Sequence, residues 1–432
     1  MKTKLLLSIL LATAATPVMA KSLQSLSDQE LSDVSGQALL TLQYLQGTTQ
    51  TDQKGDTYNQ SNIGFYKLGL EAVMELNANI NKLALGCGGV NNSVRASSCD
   101  IDIDNISLSG VPANANYTSD ERAATSAKIT NPFLQFAIKN PSSAATREVV
   151  GFRVSAEKIS GLMTLGTENT ATPNGINSFS GYMKTKTASG TAVTQARNMT
   201  YADTGLEIKG KVTGTILGIP TTLDYTSNNY NLALSSTSAP FTINSTIVSG
   251  TRLTDVVLKG SGTVGQIDFN GPLTAKVLGG LPLNKNVTGN ITGLKTDITV
   301  NQNLGLIHAL YLNNPASLSL QSQKILWPGA AVAANQGWWL AMEDEVELGS
   351  LSPTTQVAIT NEVLKQTIAG INKDLTEHPR PCGDLIIGCT FGSDLAVGNV
   401  PMNTTTLDFP LTNLTLQGQN FRSNCFGGMK FC

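Results

Sequence analysis

The chain has 432 residues, of which 41% are hydrophobic and 14% charged, with a formal net charge of -2. That is ample for a large core and excludes a disordered chain. Near-neutral charge without a basic cluster also excludes a nucleic-acid binder and a polybasic contact with anionic lipid.

The first twenty residues read as an export signal. Lys2 and Lys4 precede an apolar stretch from Leu5 to Leu11, Pro17 breaks it, and Val18-Met19-Ala20 matches a leader-peptidase site. The stretch is too short to stay in a bilayer. The expected mature chain therefore starts at Lys21, carries no transmembrane helix, and resides at the cell surface, in the medium or in the periplasm.

Residues 21–36 hold a short helical segment. Ser27-Asp28-Gln29-Glu30 is a capping box, Leu31 and Val34 share a face, and Gly36 stops the run, which predicts a helix over Asp28 to Ser35. Residues 37–204 form an N-terminal β region. Leu40, Leu42 and Tyr44 alternate with polar residues, a strand signal, and Thr48 to Ser61 reads as a loop. Strands follow within Phe65 to Leu85, at Asp100 to Leu108, Phe133 to Ile138 and Arg147 to Leu165, with a loop at Asn169 to Ser178.

Residues 205–350 are a central β region of short alternating pieces such as Phe241-Thr242-Ile243 and Ile298-Thr299-Val300, punctuated by Asn, Gly and Pro. Gly260-Ser261-Gly262-Thr263-Val264-Gly265 has the letters of a dinucleotide fingerprint, but the following Ile267 to Pro272 cannot start the helix that a pyrophosphate needs, so a glycine-rich turn is expected. Residues 351–432 combine a helix over 361–376, capped by Thr360 and ended by Pro379, with a disulfide-bonded β tail. The expected fold is mainly β, a large antiparallel sandwich or barrel-like body with few short helices, with a β-solenoid as the alternative.

The six cysteines are Cys87, Cys99, Cys382, Cys389, Cys425 and Cys432. An even count behind an export signal reads as disulfides. They fall into three neighbouring pairs, and six cysteines allow about 15 connectivities, so local pairing is one hypothesis among them.

Asp100, Asp102 and Asp104 alternate with Ile101 and Ile103, which puts three carboxylates on one strand face. Like charges there invite a cation such as Ca2+, or a basic partner. The EF-hand pattern is absent, since Asn105 and Val111 stand where Gly and Glu are needed. Trp327, Trp338 and Trp339 are the chain's tryptophans; exposed, they would stack on a sugar or a partner, and buried they would plug a core. Trp338 and Trp339 must face opposite sides of a strand. Glu343-Asp344-Glu345 and Glu347 read as a solvated edge, His308 as structural and His378 as a helix end. No nucleophile elbow, zinc-protease motif or phosphate loop occurs, so no catalytic residue is assigned.

Several stretches together resemble the Fil-type proteins encoded in pilus-assembly gene clusters of Gram-negative bacteria. They are Leu26 to Gln37, Gly86-Cys87-Gly88-Gly89-Val90, Cys99 to Asn105, Asn131-Pro132-Phe133 and Gly337-Trp338-Trp339-Leu340. The resemblance implies an exported, surface- or pilus-associated protein and supplies no catalytic residues. The expected function is therefore a non-enzymatic subunit, adhesin or accessory factor whose partners are other pilus or surface proteins. The alternatives are a module that binds lipid or a host or matrix glycan, and, further off, a secreted hydrolase.

Overall fold

The computed structural model describes residues 40–96, 98–167, 172–277, 280–385 and 394–427. The leader, the helix expected at Asp28 to Ser35, Cys389 and Cys432 lie outside them. The fold is mainly β, and the described residues form sheets of twelve, seven and five strands and a small two-stranded hairpin. Among the described residues no helix is long and apolar enough to cross a membrane.

The seven- and five-stranded sheets come from sequence that alternates cleanly. In the strand Ser238–Ile243, Ala239, Phe241 and Ile243 are buried and the residues between them exposed. In Ile267–Val277 the buried set is Ile267, Phe269, Leu273, Ala275 and Val277. The buried faces of both sheets feed one hydrophobic cluster, while Thr, Asn, Lys and Asp point outward. Burial of each such Leu, Ile or Phe contributes about 1.5–3 kcal/mol.

The helix Asn361–Glu377 closes this cluster. The Thr360 hydroxyl accepts from the Val363 amide at 3.4 Å, and Val363, Leu364, Ile368, Ile371 and Leu375 are fully buried along one stripe. Gly370 is required where the helix meets Val400, because a Cβ there would collide with the valine methyls. His378 occupies the C-cap, as its position before Pro379 implies.

Three C-terminal strands are built into the central sheets rather than set apart. Arg380–Asp384, Leu395–Pro401 and Thr406–Thr412 run parallel to Ile208–Ile216, Leu281–Thr292 and Lys295–Asn303. The sheets are thus mixed at these edges, although most pairings are antiparallel.

The twelve-stranded sheet closes part of itself into a ring. Glu148–Thr164 pairs with Ala316–Gln321, that strand with Gly337–Val346, then Ile176–Thr185, then Ile101–Ser109, which returns to the far edge of Glu148–Thr164. Beyond the ring the sheet continues as an open wing through Ala127–Lys139 and Ile63–Leu70 to the edge strand Leu40–Gln46.

Four local expectations are corrected. Thr48 to Ser61 contains the hairpin Thr49–Thr51 with Thr57–Asn59, because cross-strand pairing overrides the polar composition. The loop expected to reach Ser178 ends earlier, at the start of the strand Ile176–Thr185. Gly260 and Gly262 lie inside the strand Asp255–Thr263, where side chains would strike the backbone of Thr242 and Pro240. Glu345 and Glu347 are exposed, but the strand Gly337–Val346 is interior rather than an edge, and buried Asp344 accepts from the amides of Asn313 and Asn314 at 2.7 Å each.

Candidate partner-binding face

The open wing is apolar on both sides, and each side has a different fate. On one side Phe65, Ala137, Trp339 and Ala341 pack under the segment 322–336, whose Ile325, Trp327, Val332 and Ala334 complete a second core cluster. Buried Arg153 lies here too. Its guanidinium donates to Gln135 Oε1 and to the Pro328 carbonyl, and sits 5.3 Å from the Trp327 ring. Burial lowers it to about 10, and the Glu343 carboxylate works against that shift.

On the other side none of the described residues forms a cover. Antiparallel partners share a face, so the register aligns side chains into rows across six strands. One row is aliphatic: Leu42, Leu68, Leu134, Val154, Leu318, Leu340. The next is mostly aromatic: Tyr44, Tyr66, Phe136, Phe152, Leu320, Trp338. Tyr44 and Tyr66 rings lie 4.9 Å apart, and Phe136 and Phe152 rings 5.4 Å apart. The rows start at the edge strand and run inward until Leu318, Trp338 and Leu340 pack against the main core. At the outer end Leu42 is 77% exposed, Tyr44 48% and Leu68 41%. Six strands span about 24 Å, and neither row carries a charge.

Beside the aromatic row is a polar dish of about 680 Å³, where Tyr44 and Tyr66 meet Gln46, Ser61, Asn62 and Asn140. Two aromatic rings with neutral amides and hydroxyls form a surface that can stack on a sugar and bond its hydroxyls.

The aspartate row does not act as one site. Asp100 is buried and accepts from Arg252 Nε at 2.9 Å, Asn91 Nδ2 at 3.0 Å and the Trp338 amide at 3.0 Å. Asp102 and Asp104 share Lys82, whose ammonium bonds Asp102 and lies 2.9 Å from Asp104, while Asn177 donates to both. Partial burial works to raise the Asp104 carboxyl, but Lys82 and Asn177 outweigh it and hold it below the usual range. The bonds to Asp102 and then Asp104 in turn raise Lys82. The cation this face invites is thus supplied from the neighbouring strand, and among the described residues no cluster of three or more His, Cys, Asp or Glu is arranged to hold a metal.

Cys87 and Cys99 form a disulfide, and the loop between them is held by Arg252, which donates to the carbonyls of Gly86, Gly88 and Arg95. Cys382 and Cys425 are each engaged in a disulfide as well. Trp327 and Trp339 are each only 2% exposed, so of the two readings left open by the sequence the core one holds for them, and they are no candidates for stacking on a ligand: their rings fill the second core. Trp338 faces the opposite side, half-buried at the inner end of the aromatic row.

Two further buried groups tie the fold together: Arg122, which sequence did not single out, and His308, which it read as structural. Arg122 is fully buried, donates to Ser107, Ser109 and Thr164 hydroxyls and to the Leu162 and Arg422 carbonyls, and is lowered to about 10 by burial. It ties the C-terminal segment to the ring. His308 is fully buried, with Nδ1 2.8 Å from the Leu165 carbonyl and the ring beside Phe421; burial lowers its pKa. The uncovered rows were legible only as alternation, since nothing local states that a second apolar face stays open.

No family model, curated protein or solved structure matches the chain.

Proposed function

We propose that this chain is an exported, non-enzymatic component of a bacterial surface or fimbrial structure, and that it works by docking the open face of its wing against another protein. The observation that carries the reading is the pair of uncharged rows from Leu42 and Tyr44 inward, because a contiguous apolar surface of this extent marks an interaction site. The disulfide Cys87–Cys99 and the bonded state of Cys382 and Cys425 support an oxidising compartment. The buried guanidiniums of Arg122 and Arg153 serve the packing of the fold, which supports a structural role for them over a catalytic one. The resemblance to Fil-type proteins adds the pilus setting.

Cell fractionation tests this. The wild-type protein is expected in sheared surface material, and Leu42→Lys is expected to shift it to a free pool without unfolding it. A cytosolic pool with free thiols contradicts the reading.

A second reading is favoured by the dish at Tyr44 and Tyr66: a glycan-binding module. It expects a soluble periplasmic or surface pool that binds glycans, and loses that binding on Tyr66→Ala.

A further inference from the structure

We propose that the partner of the open face is a second copy of the same chain, packed face to face about a two-fold axis. The inference rests on the docking reading above and names its occupant.

Area gives the first argument. From their exposures, Leu40, Leu42, Tyr44, Leu68, Leu134, Phe136, Val154 and Leu320 together leave roughly 800 Å² accessible, above the 300–600 Å² largest patch of an ordinary monomer. It matches the ~800 Å² that each partner contributes to a standard stable interface.

Self-complementarity gives the second. The two rows lie side by side on alternate residues of the same strands, such as Leu42 and Tyr44, or Leu134 and Phe136. A two-fold axis running between the rows and parallel to them sets the aliphatic row of one copy over the aromatic row of the other. Branched aliphatic side chains then meet the ring faces of Tyr44, Tyr66 and Phe136, and the outer parts of both rows, short of the ends packed on the main core, are covered at once. With no charge in either row, closure desolvates no ionic group.

The strand at the wing's edge gives the third. Leu40–Gln46 contains no Lys, no Pro and no bulge, the devices by which an exposed edge is shielded, and six of its seven residues are exposed. Packing a second sheet over this corner shields its apolar side chains.

Light scattering on the full mature chain tests the proposal, at about 100 µM, where a contact of micromolar affinity is saturated. A dimer is expected. Leu42→Lys and Leu68→Lys are each expected to weaken it at least tenfold, with melting temperatures unchanged in dilute solution, where the wild type too is monomeric and both side chains face solvent. A wild-type monomer overturns the proposal, as does a dimer indifferent to both substitutions. Two arms name the occupant in that event. Flotation of the monomer with phosphatidylcholine vesicles, lost in Leu42→Lys, assigns the face to lipid. A monomer destabilised by Leu42→Lys assigns it to the chain's own residues before Leu40. A monomer that still reaches sheared surface material through Leu42 leaves the docking reading standing with a different protein partner, so the two readings fail separately.

Discussion

Arg252 and Asp100 form an ion pair with both side chains out of solvent, 0% and 3% exposed, with Nε 2.9 Å from Oδ1. The two residues are 152 positions apart, and the pair fastens the disulfide loop and the Trp338 amide to the strand that carries Arg252. Removing one partner of such a pair leaves an uncompensated buried charge. Asp100→Asn is therefore expected to cost about 3–5 kcal/mol, and Asp100→Leu with Arg252→Met less than the sum of the single changes. Urea denaturation of the wild type, Asp100→Asn, Asp100→Leu, Arg252→Met and the double variant checks this; additive losses in the last three contradict it.

The disulfide loop predicts its own cost. Cys87 and Cys99 are 12 positions apart, and opening so short a loop by Cys87→Ala with Cys99→Ala is expected to lose about 3 kcal/mol through the entropy of the unfolded chain. Urea midpoints of the variant and the wild type, both unreduced, isolate this bridge from the others.

His308 predicts a pH dependence. Burial depresses its pKa in the folded chain, so the imidazole stays neutral there while the unfolded chain takes up a proton below about 6.5. The unfolded state then binds more protons, and stability falls as pH drops from the ordinary histidine range toward the depressed folded value. Above about 6.5 both states are neutral and the effect vanishes. His308→Gln is expected to flatten the slope of melting temperature between about pH 6.5 and pH 5. An unchanged slope contradicts the assignment.

Lys82 acts at the outer limits of pH. The depressed Asp104 carboxyl stabilises the fold above its ordinary pKa and loses that effect as pH falls through the lower folded value. The raised Lys82 stabilises below its ordinary pKa and loses that effect as pH rises through the higher folded value. The site is half exposed, so Lys82→Met is expected to cost no more than about 1 kcal/mol at neutral pH, read by urea denaturation. A loss several times larger contradicts this account of the carboxylate pair.

What the sequence disclosed was periodicity. The alternation at Leu40, Leu42 and Tyr44 becomes the strand Leu40–Gln46, and the stripe from Val363 to Leu375 becomes the helix Asn361–Glu377. What it withheld were partners brought together by topology. Lys82 reaches Asp102 and Asp104 through strand register, and Arg252 reaches Asp100 across 152 positions. The tryptophans were ambiguous because a ring that stacks on sugar and a ring that fills a core have the same letter; the covering segment 322–336 decides for Trp327 and Trp339. The open face was the least legible. Ile63–Leu70 and Ala127–Lys139 carry apolar residues at both parities, which reads as a strand buried on both sides, and only the sheet order leaves one side uncovered.

The central claim is that the rows beginning at Leu42 and Tyr44 are covered by a partner when the protein is at work. Hydroxyl-radical footprinting of the dilute chain and of sheared surface material tests it most directly. Leu42, Tyr44, Leu68 and Phe136 are expected to react in the dilute chain and be protected in the surface material. Leu217 and Ile219, 86% and 68% exposed at a hairpin end of another sheet, are expected to react equally in both. Equal labelling of all six residues in the two samples would contradict the account.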